Sequence, residues 1–390
     1  MNLLRELSAA AVERTETTFS RYMDQIFPWD NRMTALIGPR GVGKTTLMLQ
    51  HIKKHLQQKD TLYTSAESVY FGNHTLFDTA MQFSKLGGRH LFIDEVHKYK
   101  GWSTELKMIY DNLPDLQVVF TGSSVLDIYK GTADLSRRIL IYEMQGMSFR
   151  EYLNMSLGAE LPVYTFEQII NNEIKLPQDI KHPLVLFKEY IRKGYYPFYR
   201  EQGYEIRLNQ IVNMTLETDI PIYANYTVSV SKKLKQLMQI IADSVPFKPN
   251  YSTLAEMIKA DRNNLSDYFN LMERAGLIAQ LHEPTQGIRA LGKVDKVYLD
   301  NPNLSYALSI AQPEMGNLRE TFFYNQMRVN HIVTNSKISD FQIDGKTFEV
   351  GGRNKGQKQI ATAEEGYVVK DDIEYGFGNI LPLWAFGFNY

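Results

Sequence analysis

The chain has 390 residues, enough for several domains at about 100–200 residues each, and its 44% apolar and 22% charged residues exclude a largely disordered polypeptide. Lys and Arg number 43 against 44 Asp and Glu, a net charge of −1 that supplies no global basic field for nucleic acid or anionic lipid. Cysteine is absent, which removes disulfides, thiolate metal sites, Fe–S clusters and a cysteine nucleophile. Glu6, Glu13 and Arg14 interrupt the first residues before an apolar core of signal-peptide length forms, and no 18-residue apolar run occurs, so the expectation is a soluble, cytoplasmic protein without a membrane partner.

The apolar run 33–37 leads into Gly38-Pro39-Arg40-Gly41-Val42-Gly43-Lys44-Thr45-Thr46, and the residues after it read as a helix. This is G-x-x-x-x-G-K-[ST] between a strand and a helix, the context in which the pattern has a mechanism. Gly38, Gly41 and Gly43 let the backbone curl around a phosphate and turn its N–H groups inward, and the helix aims its positive end at the same anion. Lys44 is expected to reach the β- and γ-phosphates of ATP, and Thr45 to ligate Mg²⁺.

A second apolar strand, His90 to Ile93, ends in Asp94-Glu95. Asp94 is the expected metal-holding acid, and Glu95 is placed to orient or deprotonate the attacking water. A third run, Leu116 to Phe120, ends in Thr121-Gly122-Ser123-Ser124, whose hydroxyls at Thr121 and Ser123 are candidates to sense the γ-phosphate or hold water. A fourth, Ile139 to Tyr142, follows Arg137 and Arg138. Arg138 is either a stabiliser of charge on the transferring phosphoryl group or a surface ion pair.

Strands alternating with helices imply a parallel sheet covered on both faces, and with these motifs a P-loop NTPase core. Asp94-Glu95-Val96-His97 also spells the D-E-x-H string of superfamily-2 helicases. A helicase needs a second RecA-like lobe, and no second strand, loop and helix of that type follows.

Together with Phe92 to Tyr99, Trp102, Thr121 to Ser124 and Met147-Ser148-Phe149-Arg150-Glu151-Tyr152, these segments resemble the AAA+-like ATPases of bacteria and archaea that carry a degenerate nuclease-like C-terminal domain. The resemblance runs through nearly the whole chain, including Lys193 to Pro197. It implies that Gly38 to Thr46 and Asp94-Glu95 form the nucleotide site, and that Ser148 to Glu151 marks the passage from the ATPase core to a helical lid. The usual Gly-Arg before the last core strand reads Arg137-Arg138 here.

Residues 148–228 mix helical patterns with Pro-containing breaks and fit the lid. Between 229 and 285, Leu234, Leu237, Met238, Ile240 and Ile241 mark one amphipathic helix, and Ser252 to Ile258 a second, with Ser252 as the expected cap. A third helix from Leu265 to Ala275 and a strand from Leu277 to His282 complete a winged-helix pattern. Winged helices commonly lay their third helix in the DNA major groove. Seven Lys or Arg between 232 and 274 against six Asp or Glu between 243 and 283 leave only +1, so packing or a protein target is favoured over DNA.

Residues 286–390 read as a small α+β domain. Glu320, Asp340-Phe341 and Glu349-Val350-Gly351 resemble the PD-(D/E)xK nuclease pattern, in which the acids bind Mg²⁺ and a lysine orients water. Gly351 stands at the lysine position, so nuclease activity is not expected, although Lys346 and Lys355 lie near in sequence. The apolar stretch 381–388 reads as a packed strand. The expected divisions are therefore a P-loop core (1–147), lid (148–228), winged helix (229–285) and inactive nuclease-like domain (286–390). ATP and Mg²⁺ are the expected ligands. Oligomeric state stays open, since an arginine acting in trans requires a second subunit.

Overall fold

A computed structural model of the chain describes all residues except 123–134, 136, 179, 285–292 and 310. The chain forms two compact units, Met1–Gly146 and Met147–Tyr390.

The first unit is built on five parallel strands: β1 (Met33–Ile37), β2 (Thr61–Ser65), β3 (His90–Asp94), β4 (Gln117–Gly122) and β5 (Leu140–Glu143). Their spatial order is β2-β3-β4-β1-β5, all neighbours parallel. β1 is buried along its whole length, as a strand covered on both faces must be, which explains its unbroken apolar run. The crossovers include α1 (Lys44–His55), α2 (Leu76–Lys85) and α3 (Trp102–Asn112). In α2, Thr75 caps the first turn by accepting from the Asp78 amide, and Leu76, Ala80 and Phe83 bury one face. Because β4 is inserted between β1 and β3, the carboxyl ends of three strands, Ile37, Asp94 and Gly122, lie side by side.

The second unit opens with α4 (Phe149–Leu157), whose start explains the Ser-Phe-Arg-Glu string physically. Ser148 and Glu151 form a reciprocal capping box, and the Ser148 hydroxyl also donates to the Tyr390 carbonyl at 2.8 Å. Arg150 is buried and donates to the carbonyls of Tyr390 and Leu161 at 2.9 and 3.0 Å. Further along are α5 (Pro183–Lys193), α6 (Tyr204–Met214), α7 (Val228–Ser244), α8 (Tyr251–Met257) and α9 (Arg262–Arg274). An antiparallel pair follows, β6 (Ile278–His282) with β7 (Val294–Leu299), and Phe247 bridges to Val297 beside it. After α10 (Met315–Met327) comes a mixed sheet in the order β12 (Ile380–Pro382), β11 (Gly366–Lys370), β10 (Lys346–Gly351), β9 (Phe341–Ile343), β8 (Val333–Asn335).

Two local expectations change. Asn250, not Ser252, caps α8, its side-chain oxygen accepting from the amides of Ser252 and Thr253 at 3.2 Å. Residues Leu383–Phe388 form a 3₁₀ turn after the short strand β12. A continuous apolar run marks full burial without fixing the period, and here Phe386 packs on Phe323 while Phe388 packs on Phe149. No helix among the described residues is long and apolar enough to cross a membrane.

Candidate nucleotide site

β1 delivers the chain into the glycine loop, and the loop needs glycine where it passes under the segment after β5. Gly38 has φ +145°, and a Cβ there would stand 2.3 Å from the Met144 carbonyl oxygen. Gly43 adopts φ +99° as the residue preceding α1. Gly38, Pro39, Val42 and Lys44 are buried, whereas Gly41 and Thr46 are exposed and Arg40, Gly43 and Thr45 half-buried. Lys44 Nζ donates to the carbonyls of Gly38 and Pro39 at 2.8 and 2.9 Å, so its ammonium sits inside the loop's curl.

Asp94, buried at the end of β3, is the hub. Its Oδ2 accepts from Thr45 Oγ1 at 2.8 Å and from the Tyr63 hydroxyl at 3.0 Å, and its Oδ1 accepts from Thr121 Oγ1. Thr121 Oγ1 in turn accepts the Glu95 amide at 3.0 Å, tying the next residue to the same network. Glu95 is held at φ +52°, a left-handed conformation that costs a non-glycine residue roughly 1–2 kcal/mol. Strain of this kind gathers at functional sites. Glu95 Oε2 lies 3.5 Å from Nδ1 of His97, a residue on the turn Val96–Lys98 rather than on a helicase-like element.

The structure thus brings together Gly38 to Thr46, Asp94, Glu95 and Thr121. Ser123 lies outside the described residues. Arg138 is separated from the group: it precedes β5, whose Leu140 pairs with Thr34 near the start of β1, so it stands at the amino end of the sheet while the loop and acids occupy the carboxyl end. There it makes a two-point pair with Asp111, Nε to Oδ1 at 2.9 Å and Nη2 to Oδ2 at 3.1 Å. That ion pair is a side-chain contact of this arginine in the structure.

Sequence reasoning missed two participants. Tyr63 sits mid-strand in β2 without a motif, and burial followed by the Asp94 charge pushes its hydroxyl well above the ordinary phenol pKa, keeping it a donor. Arg21, also buried, donates to the Val42 carbonyl inside the loop and to the Gln145 carbonyl at 2.8 Å. It lies 17 residues before Gly38, and no local pattern links the two.

The donor set suits the expected ligands. Thr45 and Asp94 offer hard oxygens of the kind that bind Mg²⁺, and the loop amides with Lys44 suit a phosphate.

The second unit has its own carboxylates. Lys296 Nζ lies 3.3 Å from Glu320 Oε2 and 3.6 Å from Asp340 Oδ1, and the Tyr298 hydroxyl donates to Glu320 Oε2 at 2.8 Å. Asp340 Oδ2 accepts the Val350 amide at 2.9 Å. Burial, then the Glu320 charge, raises the Asp340 pKa to about 6 against that amide and Lys296. Burial opposes the Lys296 charge, but Glu320 and Asp340 outweigh it and hold the ammonium above the ordinary lysine range. Glu349, fully buried, pairs with Lys355 and accepts from Ser339. The Lys355 stem covers Gly351, so closely that a Cβ at 351 would meet it at 2.7 Å. Among the described residues no group of three or more His, Asp or Glu side chains is arranged to hold a metal ion.

Residues 30–153 match the family described as AAA domain. That match includes the glycine loop, Asp94-Glu95 and Thr121. Residues 185–314 match a family described as a domain of unknown function (DUF8612), a segment that runs across the expected borders at 228 and 285. The chain is 25% identical over 268 residues to the uncharacterized protein MJ1637 of Methanocaldococcus jannaschii, covering 63% of this chain and 56% of that protein. It thus spans little more than half of that relative. Among solved structures, the Walker-type ATPase PABY2304 of Pyrococcus abyssi is 12% identical at a TM-score of 0.45, over 76% of this chain and 98% of that one. The Hsp104–ADP complex of S. cerevisiae is 15% identical at 0.32, over 70% and 40%.

Proposed function

We propose that the chain binds ATP at Gly38 to Thr46 and hydrolyses it with Mg²⁺, using the cycle as a motor or switch on a target. The observation that carries this reading is the network at the carboxyl end of the sheet, where Thr45, Tyr63 and Thr121 all donate to Asp94. Thr45 and Asp94 would hold Mg²⁺, which when bound neutralises charge on the phosphates. Lys44 leaves its loop carbonyls for phosphate oxygens. Glu95 orients the attacking water and accepts its proton, with Thr121 fixing the Glu95 backbone and reporting on the Asp94 carboxylate.

Steady-state hydrolysis and nucleotide titration test the reading. Lys44→Ala is expected to abolish nucleotide binding, and Glu95→Gln to keep binding while losing turnover. Intact binding by Lys44→Ala would overturn the site. Full turnover by Glu95→Gln would remove Glu95 from its role.

We further propose that 147–390 divides into a lid, a winged helix and a nuclease-like domain that serves without nuclease chemistry. The order α7, Phe247 bridge, α8, α9, β6, β7 supports the winged helix. The exposed side of α9 carries Arg262 and Arg274 with Asp261 and Asp267, and Glu273 is used to accept from Gln280, which supports a protein target over DNA. Ammonium groups on Glu320, Asp340 and Glu349 support the absence of metal-dependent cleavage. Absence of salt-dependent duplex DNA binding and of DNA cleavage in Mg²⁺ or Mn²⁺ is the expected result for the wild type.

A further inference from the structure

Arg21, 4% exposed, lies against the glycine loop with its two terminal nitrogens on separate pieces of backbone. Nη1 donates to the Val42 carbonyl and Nη2 to the Gln145 carbonyl at 2.8 Å. The neighbouring Tyr22 hydroxyl accepts the Gln145 amide at 3.3 Å, and the guanidinium carbon stands 5.8 Å from the centre of the Tyr22 ring. Both backbone groups of Gln145 are thus engaged, which fixes the far end of the fork. Gln145 follows Met144, whose amide donates to the Ile37 carbonyl at 2.8 Å and whose own carbonyl packs on Gly38. The fork therefore ties the middle of the glycine loop to the segment that covers the loop's first residue.

A trans peptide is planar, and its C=O and N–H point in opposite directions. Holding the Val42 carbonyl toward Arg21 therefore turns the Gly43 N–H to the other side, where no group among the described residues accepts from it. Gly43 directly precedes α1, so this N–H joins the first-turn amides at the positive end of the helix. Gly43 lies at φ +99°, and a glycine leaves this peptide free to turn over, which would put the Val42 carbonyl oxygen where the amide stood. An oxygen in that place repels a phosphate. We infer that Arg21 is a positioning residue for nucleotide: it locks the Val42–Gly43 peptide so that the Gly43 N–H faces the phosphate. The inference rests on the ATP reading of the loop proposed above. A planar fork reaches both carbonyls at once, which a lysine ammonium does not.

Isothermal titration of ADP into the full chain, with steady-state ATP hydrolysis in Mg²⁺ beside it, is the test. Arg21→Met should raise the ADP Kd and the ATP KM on the order of ten- to hundredfold, the worth of one hydrogen bond to a charged group. Its kcat should stay within about threefold, because Asp94 and Glu95 are untouched. Arg21→Lys keeps the charge and reaches one carbonyl, so its loss should be smaller, about fivefold, and it carries the test if Arg21→Met does not fold. Phe83→Leu, a buried change in α2, should lower the thermal midpoint and leave the ADP Kd unchanged. ADP affinity unchanged in the Arg21 variants but lost in Lys44→Ala would overturn this inference alone. A fall in kcat with KM unchanged, or an equal loss of ADP affinity in Phe83→Leu, would also overturn it. Absence of ADP binding by the wild type would overturn both this inference and the reading of the loop on which it rests.

Discussion

Asp94 ends β3 in the first unit and Asp340 immediately precedes β9 in the second, yet the surroundings of the two carboxylates differ in one decisive respect. Asp94 is addressed by the hydroxyls of Thr45, Tyr63 and Thr121, which orient it without neutralising it. The acids around Asp340 share Lys296, and Glu349 has Lys355. Neutral donors leave a negative charge that a divalent cation can satisfy, whereas an ammonium satisfies it internally. A motif of acids is therefore half of a metal site, and the charge of the groups donating to those acids is the other half.

The sharpest way to break this contrast is to remove the Asp94 charge while keeping its shape. Asp94→Asn should lower Mg²⁺-dependent hydrolysis on the order of 100- to 1,000-fold, several kcal/mol of lost charge stabilisation, with the fold retained because the amide oxygen still accepts on one side and hydroxyls on the other side can turn to accept from the NH2. Tyr63→Phe removes one donor and keeps the charge, so a smaller loss is expected, about tenfold, recovered by raising Mg²⁺. Steady-state rates across a magnesium titration distinguish the two. Equal losses would mean that the hydroxyls matter as much as the charge.

Removing the cation tests the other side. Lys296→Met leaves Glu320 and Asp340 facing each other without a counter-charge, and should destabilise the second unit by about 3 kcal/mol at pH 8. The pH dependence has a definite sign. The Asp340 pKa is raised in the folded protein from 3.8 to about 6, so the folded state binds this proton more tightly than the unfolded chain. Its contribution to stability is present below about pH 4 and is lost as pH rises through about 6. Denaturant unfolding of the Lys296→Met variant should therefore improve between pH 8 and pH 5 relative to Lys296→Met/Asp340→Asn, which has no such proton to gain. Parallel profiles would remove Asp340 as the source.

The glycine loop and the Asp-Glu strand end were legible because each is local: the loop occupies consecutive residues and the acids end a single apolar strand. Tyr63 and Arg21 were not, since their roles depend on strand order and on contacts across 31 and 21 residues of sequence. Gly351 stands in the sequence where the expected pattern has lysine, but only packing reveals that the Lys355 stem lies over that glycine with its ammonium on Glu349. The 3₁₀ turn at Leu383–Phe388 escaped for a different reason, because eight consecutive buried residues carry no alternation to read.

Arg138 provides the mildest test and a useful one, because sequence left it between catalysis and a surface pair. Its position before β5 puts it at the end of the sheet away from Asp94, and its side chain is 29% exposed against 44% for Asp111. The hydrogen bond from Arg138, ahead of its charge, holds the Asp111 carboxyl below the ordinary aspartate range. An exposed pair of this type contributes little, and the residue faces no phosphate of its own subunit. Arg138→Ala should therefore leave the hydrolysis rate within about twofold at all protein concentrations, while Lys44→Ala in the same assay abolishes it. A loss that grows with protein concentration would show instead that Arg138 reaches the phosphate site of a neighbouring copy, since only an arginine acting in trans couples its effect to association.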